Sequence, residues 1–283
     1  TRHYEYMDFE RVCGIIDEIA EYNMAEKITF HVMGEPFMHP RFFEILDHAA
    51  QLGVKTGITT NGTYLDEEMA IKLEKVTASQ VNISLQTPDE ESFKTRKSRK
   101  MKFEEYHNRI LKFIEGCLKQ EKPPKIKVHF LNTSIKTEVP GDDWTVGTMS
   151  VINNTKDLRK TFRYWAGEVH KICPPLNEEK RLEVEKNIEK LSAFKWNVVE
   201  VAPNIYFETY ILNTWGNAFA EGSKVVPSKT GYCSALNDHF AILCNGDLTY
   251  CCVDYDGKTK AGNVFDNSIT DIMNTKPVID AVE

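Results

Sequence analysis

The sequence contains no run of about 18 apolar residues, so no part of it has the make-up of a helix that spans a bilayer. Thr1 to Glu10 carries no apolar stretch of the kind a secretory leader needs, and no signal peptide is expected there. The chain opens on Thr rather than Met, so the expectation is that encoded residues precede it. Positive charge is not in excess: 35 Lys and Arg stand against 42 Asp and Glu, a formal net charge of −7. A surface built for nucleic acid needs Lys and Arg to neutralise phosphates, so neither nucleic acid nor a membrane is the expected partner. The one basic cluster, Lys94-Thr95-Arg96-Lys97-Ser98-Arg99-Lys100, is short and reads as a solvated or small-anion-binding loop. No internal repeat or low-complexity tract is visible. At 283 residues the chain can bury a full core, either as one large α/β domain or as a large domain with a small one.

Cysteine is present and unevenly placed. Cys13, Cys117 and Cys173 are scattered, whereas Cys233, Cys244, Cys251 and Cys252 crowd one segment. Disulfide-bonded secreted domains are usually smaller and spread their pairs through the fold. Crowded thiols point instead to metal ligation in a reducing compartment, and a cytoplasmic location is expected.

The first two-thirds alternates amphipathic helices with short apolar strands. Phe9, Val12, Ile15, Ile16 and Ile19 recur at helical spacing, and Ile28 to Val32 reads as a buried strand leaving through Gly34-Glu35-Pro36. A helix over 41–52 ends at Gly53, a strand over 54–59 leaves through Thr60-Asn61-Gly62, and a helix over 66–75 follows. Gln80 to Leu85 is a strand leaving through Gln86-Thr87-Pro88, Phe103 to Leu118 a long helix, and Lys125 to Leu131 another strand. Further on come a strand over 148–152, helices over 157–172 and 177–191, and strands over 198–202 and 205–212. Strand and helix repeating in this rhythm predict parallel strands joined by crossover helices. A partial (β/α) barrel or an open sheet both fit, and in both the chemistry sits where strands end. A boundary is expected near Gly222, giving a large domain over 1–222 and a small Cys-rich β-hairpin and helix domain over 223–283.

Each strand exit carries polar groups. Gly34 permits a backbone angle that other residues resist, Pro36 fixes the exit direction, and Glu35 between them is an acceptor suited to an ammonium. Thr60 and Asn61, then Ser84 and Gln86, place small polar groups at the next two exits. Taken singly each is an ordinary turn; three in succession predict a small-molecule site.

The stretch Ile28-Thr29-Phe30-His31-Val32-Met33-Gly34-Glu35-Pro36-Phe37-Met38-His39-Pro40 resembles the Gly-Gly-Glu-Pro region of radical SAM enzymes, with Met33 in place of the first Gly. Thr60-Asn61-Gly62 stands where that family has its next turn. Ile83-Ser84-Leu85-Gln86-Thr87-Pro88 resembles its fourth-strand segment, with Arg96 at the position of a family Arg. The resemblance runs over roughly residues 1 to 135. It implies that Glu35 holds the amino group of S-adenosylmethionine (SAM), that Asn61, Ser84 and Arg96 reach its ribose or carboxylate, and that Gly34, Pro36, Thr60 and Gln86 shape the same site. The family's defining Cys-x-x-x-Cys-x-x-Cys loop does not occur in these 283 residues, and it is expected in the sequence upstream.

Downstream, Cys233 is followed by twelve residues, Gly246, four residues and Cys251, a spacing similar to the SPASM or twitch auxiliary-cluster domains. Read without that likeness, Phe240 to Cys251 is a β-hairpin turning at Asn245-Gly246. Cys233 and Cys251 are the leading candidate iron ligands, with Cys244 and Cys252 as further candidates; Cys244 also fits as a small buried apolar residue. The resemblance implies [4Fe-4S] clusters, SAM, a peptide or small-molecule substrate, and a reductant such as a flavodoxin or ferredoxin. It implies a 5′-deoxyadenosyl radical that abstracts hydrogen. The alternative left open is a zinc-stabilised, catalytically inactive barrel serving as a binding or regulatory module.

Overall fold

The computed structural model describes residues 5–32, 34–76, 78–96, 101–132, 152, 154–211, 238–251 and 254–282. Its elements, in chain order, begin α1 (Phe9–Glu21), β1 (Lys27–Phe30), α2 (Phe42–Gln51), β2 (Lys55–Thr60), α3 (Glu67–Lys75) and β3 (Gln80–Ile83). They continue α4 (Glu90–Phe93), α5 (Phe103–Leu118), β4 (Lys125–Asn132), α6 (Thr155–Ile172), α7 (Glu178–Glu189), β5 (Val198–Ala202) and β6 (Ile205–Ile211). The C-terminal part adds β7 (Ala241–Ile242), β8 (Asp247–Thr249), β9 (Lys260–Asn263), α8 (Ile269–Met273) and α9 (Lys276–Val282). Residue chemistry sets the helix starts. Asp8, Asp66, Asn154, Asn177 and Ser268 each turn a side-chain oxygen onto a first-turn N–H that the helix leaves unpaired. Gly53, at φ +72°, lets the chain leave α2 in the left-handed region.

The strands form a six-stranded sheet of order β1-β2-β3-β4-β6-β5 and a three-stranded sheet of order β7-β8-β9. The pairs β2–β3, β3–β4 and β4–β6 are parallel, as the strand–helix rhythm predicts. β5 departs from it. It runs antiparallel to β6 at the sheet edge because only Pro203 and Asn204 separate the two strands, too few residues for a crossover. Of the strand expected over 148–152 only Ile152 is described, in a single parallel bridge to Asn132. The boundary expected at Gly222 lies outside the described residues.

By its contacts the chain divides into two compact units, residues 1–56 with 214–283, and residues 57–213. In the first, α1 buries two stripes. Ile16 meets Ile45 and Ala49 of α2, with Phe9, Val12, Ile28 and Phe30 around them. Ile19 meets Leu248, Ile269 and Ile272. The Glu18 carboxylate accepts from the Thr270 N–H at 2.9 Å at the start of α8. The N-terminal helix and the C-terminal module therefore share one core.

In the second unit, α6 covers one face of the sheet. Phe162 lies 4.8 Å from Phe130 on β4 and 5.5 Å from Phe207 on β6, ring centre to ring centre. The indole of Trp165 donates to the Pro88 carbonyl at 2.9 Å. Fully burying an aromatic of this kind stabilises by roughly 1.5–3 kcal/mol, so this layer anchors the strands whose ends carry the candidate site.

Candidate functional site

The exit of β1 belongs to the first unit. The expected strand reaches Val32, but β1 stops at Phe30, because Val32 sits at φ +89° and Gly34 at φ +121°, both outside the extended region. A β-branched residue in that region is strained by about 1–3 kcal/mol. Glu35 then returns to extended backbone, and its carboxylate caps the 3-10 turn Pro36–Met38, accepting from the Phe37 N–H at 3.3 Å. The carboxylate-bearing residue is 9 % exposed. His39 anchors the turn. The Arg41 N–H donates to its Nδ1 at 3.2 Å, which leaves Nε2–H to donate to the Met7 carbonyl at 2.9 Å.

The exits of β2 and β3 belong to the second unit and are joined through Arg96. Its guanidinium donates to Thr87 Oγ1 at 2.6 Å and to the main-chain carbonyls of Asn61, Ser84 and Leu85 at 3.1, 2.8 and 2.7 Å. It lies over the Tyr106 ring, 4.7 Å from the centroid, and the Tyr106 hydroxyl donates to the same Asn61 carbonyl at 2.9 Å. Most of the planar fork is thus turned onto the protein's own strand ends. Thr60 is buried, and its hydroxyl accepts from the Gly62 N–H at 3.1 Å. Asn61 Oδ1 accepts from the Thr63 N–H and hydroxyl at 2.9 and 2.6 Å, an Asx turn. The Ser84 N–H continues the ladder to the Thr60 carbonyl at 2.8 Å. Gln86, at φ +44°, donates its N–H to the His129 carbonyl at 3.1 Å. Thr87 and Tyr106, which hold Arg96 in place, carry no sequence signal beyond their residue types.

The cysteine-bearing hairpin belongs to the first unit. β7 and β8 pair antiparallel around Asn245-Gly246, with Gly246 at φ +83°, the turn that the dipeptide predicts. A Cβ on Gly246 would stand 2.6 Å from Asn263 Oδ1 and 2.7 Å from the Phe265 ring, so the position takes only glycine without rearrangement. Asp247 knits the turn to β9, receiving Asn245, Asn263 and Lys260 at 2.8, 3.1 and 3.2 Å. Cys244 lies in the turn and Cys251 two residues beyond β8; both are half-buried free thiols. Cys233 and Cys252 lie outside the described residues. Among the described residues no three His, Cys, Asp or Glu side chains gather closely enough to hold a metal ion. Cys117 is a different case: burial pushes its thiol up to about 12, as expected of a structural cysteine.

The donor types fit the cofactors that the resemblance implies. A nearly buried carboxylate at Glu35 suits an ammonium, and soft thiolates suit iron. No helix among the described residues is long and apolar enough to cross a membrane.

Comparison with known proteins agrees in both parts of the chain. Residues 1–132 match the radical SAM superfamily, and residues 233–281 match the SPASM iron-sulfur cluster-binding domain. The chain is similar to the tungsten-containing aldehyde ferredoxin oxidoreductase cofactor-modifying protein of Pyrococcus furiosus, 33% identical over 79 residues, 28% of this chain and 22% of that protein. It is also similar to the Fe-coproporphyrin III synthase of Methanosarcina barkeri, 36% identical over 72 residues, 25% of this chain and 18% of that protein. The matched segments thus span about a fifth of these curated relatives. Its fold is that of native anSMEcpe with bound AdoMet (TM-score 0.54, 14% identity, 99% of this chain and 75% of that one). The same holds for Streptococcus suis SuiB bound to S-adenosylmethionine (TM-score 0.54, 17% identity, 100% and 62%). The two matched domains imply [4Fe-4S] clusters and SAM as cofactors: the chain carries a radical SAM domain over residues 1–132, followed by an iron–sulfur SPASM domain over 233–281.

Proposed function

We propose that this chain is the SAM-binding and auxiliary-cluster part of an oxidoreductase or maturase that takes hydrogen from a peptide or small-molecule substrate. The observation that carries this reading is the ordered set of polar strand exits, Gly34-Glu35-Pro36, Thr60-Asn61 and Ser84-Gln86, followed by Arg96. When bound, SAM and a reduced iron–sulfur cluster supply radical hydrogen abstraction. The chain's own residues position and shield. Glu35 receives the SAM ammonium, and its neighbours Gly34 and Pro36 hold the turn open to it. Thr60, Asn61, Ser84 and Gln86 line the ribose and carboxylate side, while Arg96 keeps the β2 and β3 exits in register and has one N–H left for a ligand oxygen.

Cys251 and Cys233 are the proposed ligands of the auxiliary cluster, with Cys244 and Cys252 as further candidates. The division into 1–222 and 223–283, a cytoplasmic location, and a flavodoxin- or ferredoxin-type reductant belong to the same reading. One curated relative is named as a cofactor-modifying protein and another as an Fe-coproporphyrin III synthase, which favours a maturase role.

The test is SAM affinity by calorimetry together with 5′-deoxyadenosine formation in the anaerobic, reduced holoenzyme. Glu35→Gln is expected to weaken SAM binding at least tenfold without loss of fold. SAM binding unaffected by that substitution, or a metal content of zinc without sulfide, would refute the reading and favour a binding module.

A further inference from the structure

Asn61 and Gly62 stand just past the end of β2, where the sheet ladder no longer fixes the backbone. Gly62 sits at φ +83°, and glycine populates positive and negative φ about equally. By its own chemistry, then, the peptide between Asn61 and Gly62 is able to turn over and send its carbonyl the opposite way. Within the turn the Thr60 hydroxyl holds the N–H end of that peptide, at 3.1 Å from the Gly62 nitrogen.

The carbonyl end is held from outside, by two side chains. The Tyr106 hydroxyl on α5 donates to it at 2.9 Å and Arg96 Nη1 at 3.1 Å, which uses both lone pairs. Tyr106 is the rigid member of the two. It is fully buried, with the Phe93 ring 5.0 Å away and the Arg96 guanidinium 4.7 Å from its ring centroid. The Gly62 backbone lies so close that a Cβ there would stand 3.1 Å from both the ring and the hydroxyl oxygen. Arg96, by contrast, shares its N–H groups among four acceptors.

The packing of α5 does not ask for the hydroxyl. Tyr106, Ile110, Phe113, Ile114 and Cys117 form its buried stripe at helical spacing, and a phenylalanine would fill the first position equally well. A buried hydroxyl costs desolvation unless it is bonded, and the bond recorded for this one goes to the Asn61 carbonyl.

We infer that Tyr106 is a positioning residue, whose hydroxyl locks the Asn61–Gly62 peptide so that the β2 exit meets SAM in one orientation. The role rests on the reading of Thr60 and Asn61 as residues that line SAM. In it Tyr106 acts through Asn61 and touches no ligand.

Tyr106→Phe keeps the ring and leaves Arg96 on the carbonyl, so the variant should fold. SAM affinity, by calorimetry on the anaerobic, unreduced holoenzyme, should fall about three- to tenfold, the size of one hydrogen bond. Measured at a temperature where both proteins are folded, a loss of stability alone leaves that affinity unmoved. Hydrogen exchange read by mass spectrometry should quicken in the peptide spanning residues 60–64, and slow again once SAM saturates the site. Wild-type SAM affinity in folded Tyr106→Phe would overturn the role, as would exchange that stays unchanged at 60–64 or a variant that does not fold. Glu35→Gln measured alongside separates two failures. If it weakens SAM while Tyr106→Phe does not, the positioning role alone falls; if neither does, the SAM-site reading falls with it.

Discussion

Two roles are open to Arg96, and substitution tells them apart. With four hydrogen bonds to Thr87 and the Asn61, Ser84 and Leu85 carbonyls, it ties together two strand ends. A lysine carries a point charge and cannot span those acceptors. Arg96→Lys is expected to cost about 2 kcal/mol in urea unfolding, since hydrogen bonds to charged groups contribute about 1.5–3 kcal/mol. An unchanged midpoint with lost SAM affinity would instead make it purely a ligand group. Its position is legible in the sequence by family likeness, but its partners are not, because Thr87 and Tyr106 gain their meaning only when α5 folds back over the β2 exit. Tyr210 makes a second residue-scale prediction. Burial first, then the Glu208 charge and hydrogen bond, push its hydroxyl up to about 12. Because folding raises this group, its contribution to stability is present below about pH 10, the ordinary tyrosine range, and is lost as pH climbs towards 12. Ultraviolet titration should show a late phenol that comes earlier in Glu208→Gln.

At the scale of elements, helical spacing made α1, α3 and α5 readable to within a residue or so, because an apolar stripe is a local signal. Asn245-Gly246 likewise placed the β7–β8 hairpin. The direction of β5 was not readable, since strand orientation depends on the length of the link rather than on the strand's own residues. Nor was the early end of β1, which the positive φ of Val32 imposes. Gly246→Ala should cost about 1–3 kcal/mol, because the left-handed backbone and the close Asn263 and Phe265 both oppose a Cβ. Thermal unfolding checks this, and bound iron should fall with it. Thiol labelling of the metal-free chain at pH 8 should reach Cys251 while sparing buried Cys117.

Over the whole molecule, sequence order conceals how the core is shared. Residues 1–56 and 214–283 form one unit, in which Ile19 of the N-terminal helix packs with Leu248, Ile269 and Ile272 of the cysteine-rich module. Loosening that module should therefore loosen α1 as well. The most direct measurement is iron and acid-labile sulfide in protein purified without oxygen, wild type beside Cys251→Ala. Iron and sulfide in equal amounts, falling sharply in the variant while the fold persists, is the predicted result. Zinc without sulfide, or iron and sulfide indifferent to Cys251, would contradict an iron–sulfur site at the C-terminal hairpin.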